Sequence, residues 1–395
     1  MKAQKLFRKL INDSYDEYAR KKAEGGLIGW CTSNFPQEIP ECLGLTVVHP
    51  ENHAALLASS GEGQRFIEAA ENAGYSNDLC SYAKINLGYC ESFDSDIRNI
   101  PPPDYLLCSN NTCHQLMKWF ELLSARFDIP LFFLDIPYTM EKHVDDTAVR
   151  YIKEQCRDLI NRLCKFTGAV FQENEFARVM DISSRTGQAW LDIAELAGTN
   201  PSPMNGFDLF VYMAAAVCLR GRQETLNVFN ALKAELSAYI ASGRSTYPAK
   251  QSYRILYEGI ACWPYLYQMQ LPLIAQGINM VGSMYVNTFG IVYEGLDEMA
   301  RAYAEIPNSV PLSLGLEMRK QLVRRTKPDG IVLHISRCCK IWCGTYYEME
   351  RHFADAGVAT MTFDGDQADA RNFSPAQYET RLQAFKEIIE DNRRG

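Results

Sequence analysis

Two stretches of the chain follow the same order of apolar and polar positions. Each has a short apolar run, a polar loop carrying cysteine, a segment of helical period and a second apolar run. The first opens at Asp104-Tyr-Leu-Leu-Cys108, passes through Ser-Asn-Asn-Thr-Cys113 and a helical stretch from His114 to Phe127, and closes on Ile129-Pro-Leu-Phe-Phe-Leu-Asp135. The second opens at Asp329-Gly-Ile-Val-Leu-His-Ile-Ser, carries Arg-Cys338-Cys339-Lys in its loop, and returns through Val358-Ala-Thr-Met-Thr-Phe to Asp364-Gly-Asp366. Runs of strand length around a 3.6-residue period predict βαβ units. The loops at the carboxyl ends of such strands are where open α/β sheets hold ligands. From opening Asp to loop Cys is nine residues in one unit and ten in the other; from that Cys to the closing Asp is 22 and 25. Two related half-domains facing one site would give this match, and so would any two βαβ units, whose lengths are narrowly distributed.

The remaining pattern divides the chain into three. Residues 1–139 hold a charged amphipathic helix from about Gln4 to Lys22, the short run Leu27-Ile-Gly-Trp30, a helix start at Asn34-Phe-Pro36, a strand over Leu43–Val48 and further helices before the first unit. Over 140–250 strand signals vanish, and helical periods cover Asp145–Phe166, Glu175–Ala197, Phe207–Leu219 and Gln223–Ser242. Over 251–395 the alternation resumes with Arg254-Ile-Leu-Tyr-Glu258 and Ile278–Ser283, and a helix over Pro375–Asp391 ends it. The expected fold is α/β: two Rossmann-like (flavodoxin-like) βαβ lobes with a mainly helical segment between or around them.

Composition narrows the function classes. The chain has 395 residues, 47% hydrophobic and 22% charged, an ordinary globular balance long enough for two or three cores. No apolar run reaches the length of a membrane span, and the N-terminus lacks the apolar core of a signal peptide, so a cytoplasmic protein is expected. The net charge of −8, without a basic cluster interleaved with aromatics, argues against nucleic acid. Thirteen cysteines are many for such a protein. Those in helical patterns, Cys156, Cys164 and Cys218, are expected in the core as small hydrophobes. Cys31, Cys80, Cys113 and Cys339 stand instead near strand ends or in loops, where thiolates would suit zinc or an iron–sulfur cluster, although no Cys-x2-Cys pair is present.

The common catalytic motifs are absent: there is no Gly-x-Gly-x-x-Gly, Walker loop, Gly-x-Ser-x-Gly or His-Glu-x-x-His. Asp364-Gly-Asp366-Gln-Ala-Asp369 lacks the remaining ligands of a calcium loop and reads as a strand-end cap on backbone N–H groups. Asn205-Gly-Phe-Asp208 reads as a helix start. Glu51, after His49-Pro50, reads from its position as a helix-cap neighbour, with a site carboxylate as the other reading. Ser33 reads as a loop residue or a hydroxyl donor.

Taken together, the motifs resemble a known family. Gly29-Trp-Cys-Thr-Ser33-Asn-Phe-Pro-Gln-Glu38, His49-Pro-Glu51-Asn52, Asn77-Asp-Leu-Cys80, Cys108-Ser-Asn-Asn-Thr-Cys113, Ser202-Pro-Met-Asn-Gly-Phe-Asp-Leu-Phe210, Glu258-Gly-Ile-Ala-Cys-Trp-Pro264, Ser336-Arg-Cys-Cys339-Lys and Phe363-Asp-Gly-Asp-Gln-Ala-Asp369 occur in order along nearly the whole chain. They are similar to the larger (alpha) subunit of (R)-2-hydroxyacyl-CoA dehydratases, of the 2-hydroxyglutaryl-, 2-hydroxyisocaproyl- and phenyllactyl-CoA type.

The resemblance implies a heterodimer in which each subunit holds a 4Fe-4S cluster through three cysteines with one iron open. The matching positions are Cys80, Cys113 and Cys339. Adjacent Cys338 stands where the family has serine, and register with Lys340 favours Cys339 as the ligand. Ser33 and Glu51 match positions near the open iron and substrate, implying a hydrogen-bond donor and a proton relay or base. The implied chemistry is loss of water from a 2-hydroxyacyl-CoA through a ketyl radical anion, started by one electron from a separate ATP-hydrolysing iron–sulfur activator. Absence of a phosphate loop here agrees with that division. FMN occurs in some members, and the motifs place no flavin here. An ATP-dependent acyl-CoA reductase of the benzoyl-CoA type and a non-catalytic electron-relay subunit are the alternatives.

Overall fold

The structure, a computed structural model, describes residues 2–394. Helix α1 (Lys2–Ala23) leads into β1 (Ile28–Cys31), α2 (Glu38–Cys42), β2 (Thr46–Val48), α3 (Pro50–Ser59), α4 (Gly63–Asn72) and α5 (Ser81–Tyr89). Then come β3 (Tyr105–Ser109), α6 (His114–Phe127) and β4 (Leu131–Leu134). Four helices follow, α7 (Asp146–Thr167), α8 (Glu173–Ala197), α9 (Asp208–Cys218) and α10 (Gln223–Ala241). The last part holds β5 (Tyr253–Glu258), α11 (Leu266–Ala275), β6 (Ile278–Gly282), α12 (Met284–Asn287), α13 (Gly295–Ala304) and α14 (Leu312–Thr326). It ends with β7 (Gly330–Ser336), α15 (Lys340–Cys343), α16 (Tyr346–Asp355), β8 (Ala359–Gly365) and α17 (Pro375–Arg394).

Two parallel sheets of four strands result, in the orders β2-β1-β3-β4 and β6-β5-β7-β8. The second is the first repeated. Sheets of this kind bury both faces, so their central strands read as continuous apolar runs rather than alternating ones. β1 and β3 are buried along their whole lengths. Gly29 of β1 lies beside Tyr105 of β3, whose ring stands 2.5 Å from where a Cβ would be, so only glycine admits that aromatic ring.

The matched spacing of the two units has a shared structural cause. Asp104 donates its N–H to Ile28 O at 2.7 Å, and its carboxylate accepts the Ile28 N–H at 2.8 Å. Asp329 does the same with Arg254, at 2.7 and 2.8 Å. In each lobe an aspartate before the third strand therefore clamps the start of the first.

The middle helices pack on both lobes. Trp190, Phe210 and Phe229 join a core with β5, β6 and α17, while Val149, Leu159 and Val179 join one with β1, β3 and β4. At the junction Glu38 and Arg220 are fully buried. Glu38 accepts hydroxyls from Tyr303 at 2.8 Å, Tyr293 at 2.5 Å and Ser183, and Arg220 donates to Ser183 at 3.1 Å and to the Tyr303 hydroxyl.

Several expectations need correction. Pro36 does not open a helix: α2 starts at Glu38, and the proline with first-turn geometry is Pro50 of α3. Cys31 is the last residue of β1 and fully buried, not a loop thiol, because the strand runs one residue further than its apolar pattern. Cys164 and Cys218 are half-buried, while Cys156 is in the core. Helices α13 and α14 were not expected between β6 and β7. The Asp364–Asp369 loop is the cap foreseen: Asp366 accepts the N–H groups of Ala368 and Asp369 at 2.9 and 3.0 Å.

Candidate active site

The carboxyl ends of the two sheets face a shared cavity of about 320 Å³. Ser33, Glu51, Cys80 and Cys113 line it from the first lobe, and Cys339 from the second. All five positions singled out in the sequence thus line one cavity, although 306 residues separate Ser33 from Cys339.

The three thiols have a common local setting. Cys80 is the residue before α5, Cys113 before α6 and Cys339 before α15. That position adjoins the unpaired N–H groups of a first helical turn, which favour negative charge; at α5 the Ser81 N–H goes to Cys338 Sγ rather than to Cys80. Burial pushes the Cys113 thiol up to about 11 against the pull of the Leu116 and Gln115 N–H groups. Burial also raises Cys339, offset in part by the Trp342 N–H.

Cys338 is set apart from its neighbour. It is 6% exposed and does not line the cavity. Its sulfur accepts the Ser81 N–H at 3.3 Å and a Gln367 amide N–H at 3.0 Å, and Cys80 lies within hydrogen-bonding reach. That contact with Cys80, with burial, holds its thiol strongly protonated. Gln367 also reaches Cys80 Sγ at 3.3 Å, so one amide spans a cavity thiol and a buried one.

Glu51 sits in the first turn of α3, as its position suggested, but its carboxylate does not cap that helix. Oε2 accepts the Ser33 N–H at 2.7 Å. Burial raises its pKa, and the Ser33 backbone and hydroxyl contacts pull it back. Ser33, 5% exposed, follows β1 in a loop held to the β3 loop by Asn34 Nδ2–Thr112 Oγ1 at 3.0 Å and Asn111 Nδ2–Asn34 O at 3.1 Å.

Gln367, Tyr82, Trp263 and Tyr285 also line the cavity and were not singled out. Gln367 lies inside the motif read as a backbone cap, and a long amide among capping aspartates is the one signal that would have marked it. Trp263 donates its indole N–H to the Tyr82 hydroxyl at 2.5 Å, closing the wall between the lobes. A second cavity of about 500 Å³ adjoins the first across Thr112, Cys113, Asn308, Ile341 and Trp342. Among the described residues no three His, Cys, Asp or Glu side chains stand close enough to hold a single metal ion.

Comparison with known proteins gives the family. The family model for 2-hydroxyglutaryl-CoA dehydratase, D-component, matches residues 32–389. The chain is similar to the (R)-phenyllactyl-CoA dehydratase alpha subunit of Clostridium sporogenes, 44% identical over 98% of this chain and 96% of that one. It is 41% identical to the (R)-2-hydroxyisocaproyl-CoA dehydratase alpha subunit of Clostridioides difficile, over 100% and 98%. It is 36% identical to the (R)-2-hydroxyglutaryl-CoA dehydratase subunit alpha of Acidaminococcus fermentans, over 98% and 96%.

Proposed function

The chain belongs to the 2-hydroxyglutaryl-CoA dehydratase D-component family as a 2-hydroxyacyl-CoA dehydratase subunit of the alpha kind, and from that premise we propose what its cavity does. It removes water from an (R)-2-hydroxyacyl-CoA to give the 2-enoyl-CoA. It works as the iron–sulfur subunit of a cytoplasmic heterodimer with a homologous beta subunit, and an ATP-hydrolysing activator supplies one electron. The observation that carries this reading is that Cys80, Cys113 and Cys339 line one cavity together with Ser33 and Glu51.

The donor set fits a 4Fe-4S cluster held by those three cysteines. Thiolates are its usual ligands, and the three thiols line one cavity. When bound, such a cluster supplies a Lewis-acidic iron and a one-electron relay, the chemistry that lets a thioester carbonyl pass through a ketyl radical anion. The helix N-termini behind each cysteine stabilise the charge of its thiolate.

Overall, the α-hydroxyl and a β-proton leave as water, a carbon–carbon double bond forms, and the borrowed electron is returned. Glu51 is the base for that proton. Its burial raises its pKa towards the working pH, where a carboxylate takes a proton more readily. Ser33 holds Glu51 in place through its N–H and offers its hydroxyl to the substrate oxygen. Apolar side chains around them exclude water, which strengthens these contacts.

The test is anaerobic assay of the reconstituted heterodimer with activator, ATP and 2-hydroxyacyl-CoA. Enoyl-CoA formed without net consumption of reductant supports the reading. Two electrons consumed per turnover point to a reductase. A bound cluster whose spectrum no thioester perturbs points to an electron relay.

A further inference from the structure

The cavity wall holds a selection rule for the acyl group, which rests on the dehydratase reading of the same site. Among the described residues lining it, Glu51 is the one charged acidic or basic side chain, and no lysine, arginine or histidine is present. The wall beyond the cysteines is mainly apolar, with the neutral side chains of Asn52, Ser59, Gln115, Thr288 and Asn308 among it. Helix α1 contributes Phe7, Ile11 and Tyr15, spaced by four on one face, and α9 contributes Phe210, Ala214 and Val217.

Two nearby cations do not change this. Arg319 lines the adjoining cavity, where it donates to Glu258 at 2.9 Å, donates to Gly315 O at 2.8 Å and stacks over Trp342. Arg8 lies beyond Phe7 and Val211, in a groove that adjoins the cavity across those two residues and also holds the Asp208 carboxylate.

An acyl group ending in a carboxylate would lose its hydration here, meet neutral donors but no cation to balance its charge, and share the space with Glu51. An aryl or branched-alkyl group loses nothing and gains contact with aromatic edges and faces. We propose that the enzyme takes 2-hydroxyacyl thioesters with an uncharged, bulky apolar side chain, aryl or branched alkyl, and rejects dicarboxylic acyl groups.

The experiment compares 2-hydroxy-3-phenylpropanoyl-, 2-hydroxy-4-methylpentanoyl- and 4-carboxy-2-hydroxybutanoyl-CoA with the activated heterodimer. It also measures binding of the corresponding enoyl-CoA products to the heterodimer by tryptophan fluorescence. The expected result is kcat/KM at least ~100-fold higher for one of the apolar substrates than for the carboxylate, with product affinities in the same order. Val211→Arg places a cation at a half-exposed position of the wall, 49% accessible. It is expected to narrow the gap at least ~10-fold, with kcat/KM for the carboxylate substrate rising. A carboxylate substrate within ~10-fold of the better apolar one in the unaltered enzyme overturns the selection rule and leaves the dehydratase reading intact. Binding of all three products without turnover of any substrate sinks the dehydratase reading, and the rule with it.

Discussion

Glu51 Oε2 accepts the backbone N–H of Ser33 at 2.7 Å, joining the first turn of α3 to the loop after β1. One hydrogen bond thus fixes the aim of the proposed base and the position of the neighbouring hydroxyl.

Replacing Glu51 by Gln keeps the acceptor for Ser33 and removes the base. The expected loss is ~10²–10⁴-fold in kcat with iron content unchanged. Because burial raises the pKa of Glu51, the basic form is present only above that raised value. The acid limb of the rate profile should therefore lie above the ordinary carboxylate range, and it should disappear in the variant. A profile flat through that limb in the unaltered enzyme would remove Glu51 from the chemistry.

The two adjacent cysteines should separate cleanly. Cys339 lines the cavity, whereas the Cys338 sulfur lies outside it, against Ser81, Gln367 and Cys80. Cys338→Ser is expected to retain iron and acid-labile sulfide after anaerobic purification. Alanine at 80, 113 or 339 is expected to lose most of both. Iron retained without Cys339 and lost without Cys338 would reverse the assignment.

Near the site the lobes are also joined by charge. Glu71 receives Arg371 at 2.6 Å and buried Lys84 at 2.8 Å, and Lys84 lies 3.6 Å from Asp369. The Arg371 hydrogen bond, with Lys84, pulls the Glu71 pKa from 4.5 down to about 2. A depressed carboxylate gives stability above its unfolded pKa and loses it as pH falls through the folded one. Denaturation midpoints should show Glu71→Gln less stable than the unaltered chain at neutral pH, the difference closing between pH 4.5 and about 2. A difference that persists undiminished at the acid end would refute the linkage.

Deeper in the molecule, Arg220→Met leaves Glu38 buried among hydroxyls without its cation. Breaking one side of a buried pair costs about 3–5 kcal/mol, so urea unfolding should shift by that amount while retained activity follows the folded fraction. A shift under about 1 kcal/mol would mean the three hydroxyls alone suffice for the carboxylate.

By itself the sequence determined the local elements and their repetition. Helix α6 begins at His114 and ends at Phe127 where its period predicts, because an amphipathic face and its breakers are written in neighbouring residues. The matched places of Asp104 and Asp329 were legible there too, although the partners they clamp, Ile28 and Arg254, lie 76 and 75 residues away. The motifs also placed Cys113 and Cys339 after the third strand of each lobe.

Tertiary structure decided the rest. Position alone favoured a cap for Glu51, but its partner is 18 residues away; Gln367 meets Cys80 across 287. Much of the apolar lining of the cavity comes from α1 and α9, which no local pattern relates to either sheet. Periodicity records which face of an element is apolar. What that face meets depends on how the lobes close around a common space, and that is set by packing among residues hundreds of positions apart.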